Sequence, residues 1–495
     1  MLLAQLRQQL DAYRAHQALL KLAPDAVLVG GAVRDLLLGD VIHDLDYVLP
    51  GAALIAARRL GDAIGGAYYP MDGPRGIGRV VWRPTAETRL VIDVSTWRGS
   101  SLDEDLRARD FTINAIALLA DGQVCDPLDG VEDLMARRLR PCSSVSLETD
   151  PLRILRAVRF LFQFRLQPHV GMEELVAAAT PGLDAISPER QRDELAKILA
   201  LPDPQDAVRQ LQAWNLLRRF FPALVRLIGI EQSTPHVCDA YEHSLATLRW
   251  QARIDRLLRG VAAPTTELDQ IIIDALASIS PDLRAYLDQA FVPDRPRWLW
   301  LRFAALAHDW GKAATRSSAE DGRIRFLGHE AISAELSAGW LEQYRCASSE
   351  IEYVRRLCQG HMRPIHLSQR DRTPSRRALY RFYRDLGDAA PAALLLHIAD
   401  HLATYGPEIV PNDFREHLLV VAAMLEPMTA AGEQNILPTP LLNGNDLIKL
   451  FDLQPGPRIG ELLEALREAQ AVGEVGSRGE AERWVGEIIK RKALT

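Results

Sequence analysis

Residues 28–48 read "LVGGAVRDLLLGDVIHDLDYV", and this stretch decides the fold of the N-terminal region. The apolar run Val27–Val29 reads as a strand closed by Gly30-Gly31, and "AVRDLLLG" then takes up helical spacing. Residues 44–49 alternate as a second strand. A glycine pair between strand and helix lets the backbone approach a ligand, and the free N–H groups of the helix start attract an anion. Arg34, one turn along, is placed to reach a phosphate from the same side. Asp44 and Asp46 lie two apart on a strand, so both carboxylates leave one face. Such a pair suits Mg²⁺, which prefers carboxylates together with substrate phosphates. Asp93, in "LVIDV" on another predicted strand, can complete the set. Metal ions held there would stabilise the attacking and leaving oxygens of an in-line phosphoryl displacement. A glycine pair or an Asp-x-Asp alone is common in a βα turn with surface acids. The whole string is far more specific.

Outward from this stretch, residues 1–20 have the spacing of an amphipathic helix. "ALIAARRLGDAIGG" predicts a helix, and "GRVVWRP" and "TRLVIDVST" predict strands, giving a mixed α/β head over 1–130. Beyond it strand signals fade and Leu/Ala/Arg-rich helical periodicity takes over. "SPERQRDEL" and "LPDPQDAV" mark helix starts in a helical neck over 131–230. A third segment is expected over 231–430, with "LDQAFVPDRPR" as a loop or insertion. The Pro/Asn/Gly-rich "EQNILPTPLLNGNDL" leads into a charged helical tail over 431–495. The chain has 495 residues and a net charge of −7, so it is no polycation built to coat nucleic acid, although a local basic groove is compatible with that total. Five scattered cysteines without a Cys-x-x-Cys pair point to reduced thiols, and the first residues lack the unbroken apolar core of a signal peptide or membrane span. A cytoplasmic protein with no membrane contact is expected.

A second constellation lies between 243 and 400. His243, His308-Asp309 and Asp400 sit in "YEHSLATLRW", "LAHDWGKAATR" and "HIADHLATY", each with helical spacing. Imidazoles and carboxylates converging from several helices suit a divalent transition ion such as Mn, Ni, Zn or Fe. His329 and His361 can hold a second ion, and Lys312 can meet a substrate phosphate. A lone histidine in a Leu/Ala helix is more often packed or exposed, and His366, His397, His401 and His417 are placed in that group.

The opening stretch resembles the first motif of the class II tRNA nucleotidyltransferase and bacterial poly(A) polymerase family, with its polymerase-β-type head. The resemblance continues in order through "RDFTINAIAL" (109–118), "DPLDGVEDL" (126–134), "TDPLRILRAVRF" (149–160) and "SPERQRDEL" (187–195). It implies template-independent addition of C, A or both to the 3′ end of tRNA from CTP and ATP with Mg²⁺. No protein partner is implied. Asp44, Asp46 and Asp93 would be the catalytic acids, with Gly30, Gly31, Arg34 and Arg109 at the triphosphate. Asp150 and Arg153, three apart on a predicted helix, would hydrogen-bond the base edge, and Arg156 and Arg159 would continue that stripe towards triphosphate or RNA. The histidine constellation resembles an HD-type phosphohydrolase bundle, and the tail resembles that of HD-bearing members.

Two departures bear on specificity. Thr149 stands where the family usually has an acid, and "IDVSTWRGSSLDEDLRARDF" joins Asp93 to Arg109 without the flexible loop of full CCA-adding members. A short connection is a feature of CC-adding relatives. The alternatives are a poly(A) polymerase, whose longer Arg-rich signature is not found here, a metal phosphohydrolase whose head only binds RNA, and a silent RNA-binding scaffold.

Overall fold

The computed structural model describes residues 2–73, 76–85, 88–367, 374–428 and 436–492. The chain divides into two compact units, Met1–Leu195 and Ala196–Thr495.

The first unit is built on a seven-stranded sheet: β1 Val27–Val29, β2 Asp44–Leu49, β3 Ala67–Asp72, β4 Ile77–Trp82, β5 Leu90–Thr96, β6 Ala117–Leu118 and β7 Val124–Cys125. The order is β3-β4-β5-β2-β1-β6-β7, with β2 and β5 parallel and the other neighbours antiparallel. Leu45, Tyr47, Val80, Ile92 and Val94 bury one face, which helices α1 (Leu10–Leu22) and α2 (Ala53–Ile64) help to cover. Alternation therefore leaves Asp44, Asp46 and Asp93 on the opposite face.

Three local features differ from the expectation. The first twenty residues form two helices broken at Gln9, whose amide donates to the Asp40 carbonyl and accepts from the Ile42 N–H at 2.9 and 2.8 Å. That tie to the chain entering β2 competes with continuing the helix. Strand β3, "AYYPMD", carries Pro70 and is mostly exposed, so it lacks the apolar alternation of its neighbours. It is an edge strand, where proline is tolerated. Asp150 and Arg153 do not share a helix: Asp150 has extended backbone, Pro151 follows, and α3 starts at Arg153 (Arg153–Gln163). The residue before proline is driven out of helical geometry.

The second unit is helical apart from short ribbons. One of these, Ala290–Val292 with Arg295–Pro296, occupies the segment expected to be a loop. Helix α4 (Ala240–Leu258) packs against α5 (Arg297–Ala307) and α8 (Ala390–Tyr405), while α6 (His329–Gln343) packs against α7 (Ser348–Gly360). Phe303 and Trp340 meet at 4.5 Å between ring centres in the core. Helix α9 (Pro411–Leu425) packs along α8. The tail helices Gly444–Phe451, Pro457–Ala471 and Arg478–Lys492 share their own apolar core around Leu447, Leu462, Leu466 and Val485. Residues 433–435 of the expected linker lie outside the described residues.

Candidate functional site

In the sheet, Asp46 of β2 stands directly beside Asp93 of β5 in parallel register, with Asp44 two residues earlier on the same face. Burial, then the charges of Asp93 and Asp44, push the Asp46 carboxyl up to about 6, against the pull of Arg109. Asp44 is raised too, first by burial and then by Asp93. Carboxylates crowded until they resist ionising form a place for a divalent cation, and the donor set fits Mg²⁺. Sequence reasoning missed Arg79. From the neighbouring position on β4, its Nε and Nη2 each donate to Asp93 at 2.8 Å, holding that carboxylate in a two-pronged grip. Its only signal was an arginine at an outward position of "GRVVW".

Gly30 has φ +74°, and a Cβ there would lie 3.0 Å from Arg109 Nη1 and 3.6 Å from Asp46 Oδ2. Only glycine lets the backbone pass between guanidinium and carboxylate. Gly31 starts the following helix, Gly31–Leu38. Arg109 is aimed by Asp105, which accepts from its Nε and Nη2 at 3.1 and 2.9 Å. Arg34 lies against the start of that helix, where a Cβ at Gly31 would sit 3.4 Å from its Nη2. It is buried, donates to Asp35 at 2.9 and 2.7 Å and to Asn114, and lies 4.1 Å over the Phe164 ring.

A cavity of about 1150 Å³ opens beside Arg109, lined also by Arg98, Asp150, Arg153 and Arg190. The partner of Asp150 is Arg190, at 2.9 Å, a residue the sequence reasoning left without a role. Arg153 instead directs its guanidinium to Ser146 Oγ and to the carbonyls of Ser146, Arg109 and Ala108, at 2.8–3.1 Å. Arg156 pairs with Asp110, and Arg159 donates to Glu194 at 3.0 Å, so both are compensated within the protein. Burial opposes the Asp110 charge, but Arg156, Asn114 and the Phe111 N–H together hold its carboxyl well below the usual range.

In the second unit, the four ligands expected from the sequence do converge. His243 Nε2 lies 2.9 Å from Asp400 and 3.5 Å from Asp309, and His308 Nε2 lies 3.2 Å from Asp309. On the other side of Asp309, Oδ1 is 3.2 Å from His329 Nε2 and 3.7 Å from His361 Nε2. Asp309 thus stands between two ligand groups, the arrangement of a bridging carboxylate. The Nδ1 atoms of His308, His329 and His361 sit 2.9, 2.7 and 2.7 Å from the carbonyls of Ala305, Phe326 and Cys358. Donation there leaves each Nε2 lone pair facing the centre. His308 is buried and its Nε2 faces Asp309 at 3.2 Å and Asp400 at 3.8 Å, a donor set that suits a transition-metal ion. Lys312 Nζ closes on Asp309 Oδ2 and Gln232 Oε1, both at 2.6 Å. His236, which the sequence gave no reason to single out, packs edge-on to His243 at 5.2 Å. His366 is exposed, as expected. His397, His401 and His417 are not scattered packing residues; they line the cavity of about 760 Å³ that reaches this centre.

Carboxylates on a mixed sheet beside a glycine turn, in a chain that also carries a histidine–aspartate helical bundle, define a nucleotidyltransferase head accompanied by an HD domain. The family model for the poly A polymerase head domain matches residues 26–140. That for the probable RNA- and SrmB-binding site of polymerase A matches 166–227, and that for the HD domain matches 240–405. The chain belongs to the tRNA nucleotidyltransferase and poly(A) polymerase family. It is 34% identical over 485 residues to the A-adding tRNA nucleotidyltransferase of Deinococcus radiodurans, covering 96% of this chain and 99% of that one. It is also 34% identical to the CC-adding enzyme of Thermus thermophilus, covering 93% of each chain. Among solved structures, a CCA-adding enzyme complexed with ATP shares the fold at a TM-score of 0.59 and 20% identity, covering 98% of both chains. The Bacillus stearothermophilus enzyme with CTP does so at 0.57 and 22%, covering 97% and 98%. Both the head and the HD families are metal-dependent. Among the described residues no helix is long and apolar enough to cross a membrane.

Proposed function

We propose that the chain extends the 3′ end of tRNA in the cytoplasm, transferring C, A or both from CTP and ATP. The observation that carries this is the Asp44–Asp46–Asp93 cluster beside the Gly30 backbone and Arg109. Asp44 and Asp46, with Asp93 behind them, would hold Mg²⁺, whose contribution is to neutralise charge between the terminal ribose hydroxyl and the triphosphate. Gly30 and Gly31 keep the backbone out of the triphosphate's way, and Arg34 and Arg109 would supply fixed positive charge beside it. Asp150, with Arg153 behind it and Arg156 and Arg159 along α3, bounds the base pocket. An Asp carboxylate accepts from the exocyclic amine that cytosine and adenine share. The division into head (1–130), neck (131–230), HD domain (231–430) and tail (431–495) is part of this proposal, and the ranges of the matching family models support it.

Only five residues separate β5 from the helix Leu102–Arg107, and this short link supports C addition. The relatives do not sort the choice, since an A-adding and a CC-adding enzyme are equally identical to this chain. Incubating the protein with tRNAs ending before the first C, in C and in CC, with CTP and ATP separately, and sequencing the products decides it. C added to the first two substrates is expected. Extension only of the CC-ending tRNA by ATP would make it an A-adding enzyme, and long A tails a poly(A) polymerase.

A second activity is favoured by the bridging position of Asp309. His243, His308, Asp309 and Asp400 would hold one transition-metal ion, and His329 and His361 with Asp309 a second. A bound ion lowers the pKa of water enough to supply a nucleophile for phosphoester hydrolysis. Lys312 would meet the substrate phosphate. Opening of a 2′,3′-cyclic nucleotide to its monophosphate, or phosphate release from a nucleoside monophosphate, lost in His308→Ala, is the expected result.

A further inference from the structure

We infer that Arg98, a residue of the short link rather than of any motif stretch, is a further substrate-binding residue that meets the triphosphate of the incoming nucleotide. It stands between β5 and the helix Leu102–Arg107, and it lines the cavity of about 1150 Å³ together with Arg109, Asp150, Arg153 and Arg190. The link is tied down at several points. The Arg98 N–H donates to Asp105 Oδ1 at 2.9 Å, and Asp105 Oδ2 accepts from the Arg109 guanidinium, so one buried carboxylate sets both residues. The Ser100 N–H and hydroxyl both donate to Glu104, at 2.7 and 3.1 Å. The guanidinium is tethered as well. Arg98 Nη1 donates to the Ala108 carbonyl at 3.0 Å, the same oxygen that accepts from Arg153 Nη2 at 2.9 Å.

The balance of charge points to an anion. Arg109 pairs with Asp105, Arg190 with Asp150 and Arg156 with Asp110. Among the described residues no carboxylate pairs with Arg98 or Arg153, and Arg98 Nε and Nη2 have no acceptor. Burial lowers the pKa of Arg153 and the Arg98 charge lowers it further, while Asp110 and Asp150 oppose both. Two adjacent guanidiniums without a counterion, at a recess lined by five arginines and two aspartates, make a place for a phosphate. Taking the cavity as the seat of the incoming nucleotide, as proposed above, Arg98 stands between its two ends. It shares Asp105 with Arg109 at the triphosphate, and Ala108 with Arg153 beside Asp150 at the base. Its uncommitted Nε–Nη2 edge carries two parallel N–H groups, which match two oxygens of one phosphate.

The test uses the full-length protein in Mg²⁺ without tRNA, so that nucleotide binds and is not consumed. Affinities for CTP and for cytidine are measured by calorimetry, with thermal melts as the check on folding. Arg98→Ala and Arg98→Gln both remove the charge, so a folding defect in one variant does not decide the outcome; Arg98→Lys keeps the charge without the fork. A loss of about tenfold in CTP affinity in the first two variants, partial recovery in Arg98→Lys and unchanged cytidine affinity are expected. Equal losses for CTP and cytidine would overturn the phosphate contact by moving Arg98 to the nucleoside. Unchanged CTP affinity with weakened tRNA binding would overturn it by assigning the guanidinium to the polynucleotide. Wild type that binds no CTP would overturn the nucleotide reading itself, whereas wild type and Arg98→Ala binding CTP equally well would overturn Arg98 alone.

Discussion

Asp46 is the residue at which the proposed chemistry and the stability of the fold meet. Its carboxyl is raised to about 6 by burial and by neighbouring carboxylates. Between its ordinary value and about 6 the folded protein holds a proton that the unfolded chain has released, so stability falls as pH rises through that window. Without metal, Asp46→Asn is therefore expected to melt higher than wild type at pH 8, by up to about 2 kcal/mol. The advantage should vanish below about pH 4 and shrink when Mg²⁺ is added. Thermal melts at both pH values, with and without Mg²⁺, check this. Gly30→Ala makes a different test. Its φ of +74° strains any residue with a Cβ, and a methyl group 3.0 Å from Arg109 Nη1 would push that guanidinium aside. A loss of about 1–3 kcal/mol and a raised KM for nucleotide are expected, measured by denaturant titration and steady-state kinetics.

At the scale of elements, the sequence made legible what its periodicity carries. The strand at 44–49 and the helices bearing His243 and Asp400 follow from alternation and helical spacing, so the acids and the HD ligands could be read from spacing and motif. What escaped depended on contacts between distant segments. Arg79 is an ordinary strand arginine until β4 is laid beside β5. Pro151 ends the helical register that would have placed Asp150 and Arg153 on one face, and Arg190, forty residues on, becomes the partner of Asp150. His401 and His417 looked solitary because their helices meet only in the folded bundle. Arg190→Ala removes the ion pair of Asp150. A fall of about tenfold in kcat/KM for the preferred nucleotide, roughly 1.4 kcal/mol, with weaker discrimination between CTP and ATP, is expected. Competition assays with both nucleotides would measure it.

At the scale of the whole molecule, one chain carries two kinds of candidate metal site on separate scaffolds. The hard carboxylate site is built on a sheet in the first unit, and the imidazole-rich site in a helical bundle in the second. Their ligand types select different ions, so the activities should be separable by mutation. His308→Ala is expected to lose transition metal while keeping near-normal nucleotide transfer in Mg²⁺. Asp44→Ala should do the reverse. The most direct measurement follows incorporation of labelled CTP and ATP into tRNA lacking its 3′ end, in Mg²⁺, by wild type, Asp44→Ala and Asp46→Ala, with tRNA binding measured in parallel. Transfer by wild type, with a loss of at least a thousandfold in both variants and tRNA binding retained, is the expected result. Near-normal incorporation by either variant would contradict it.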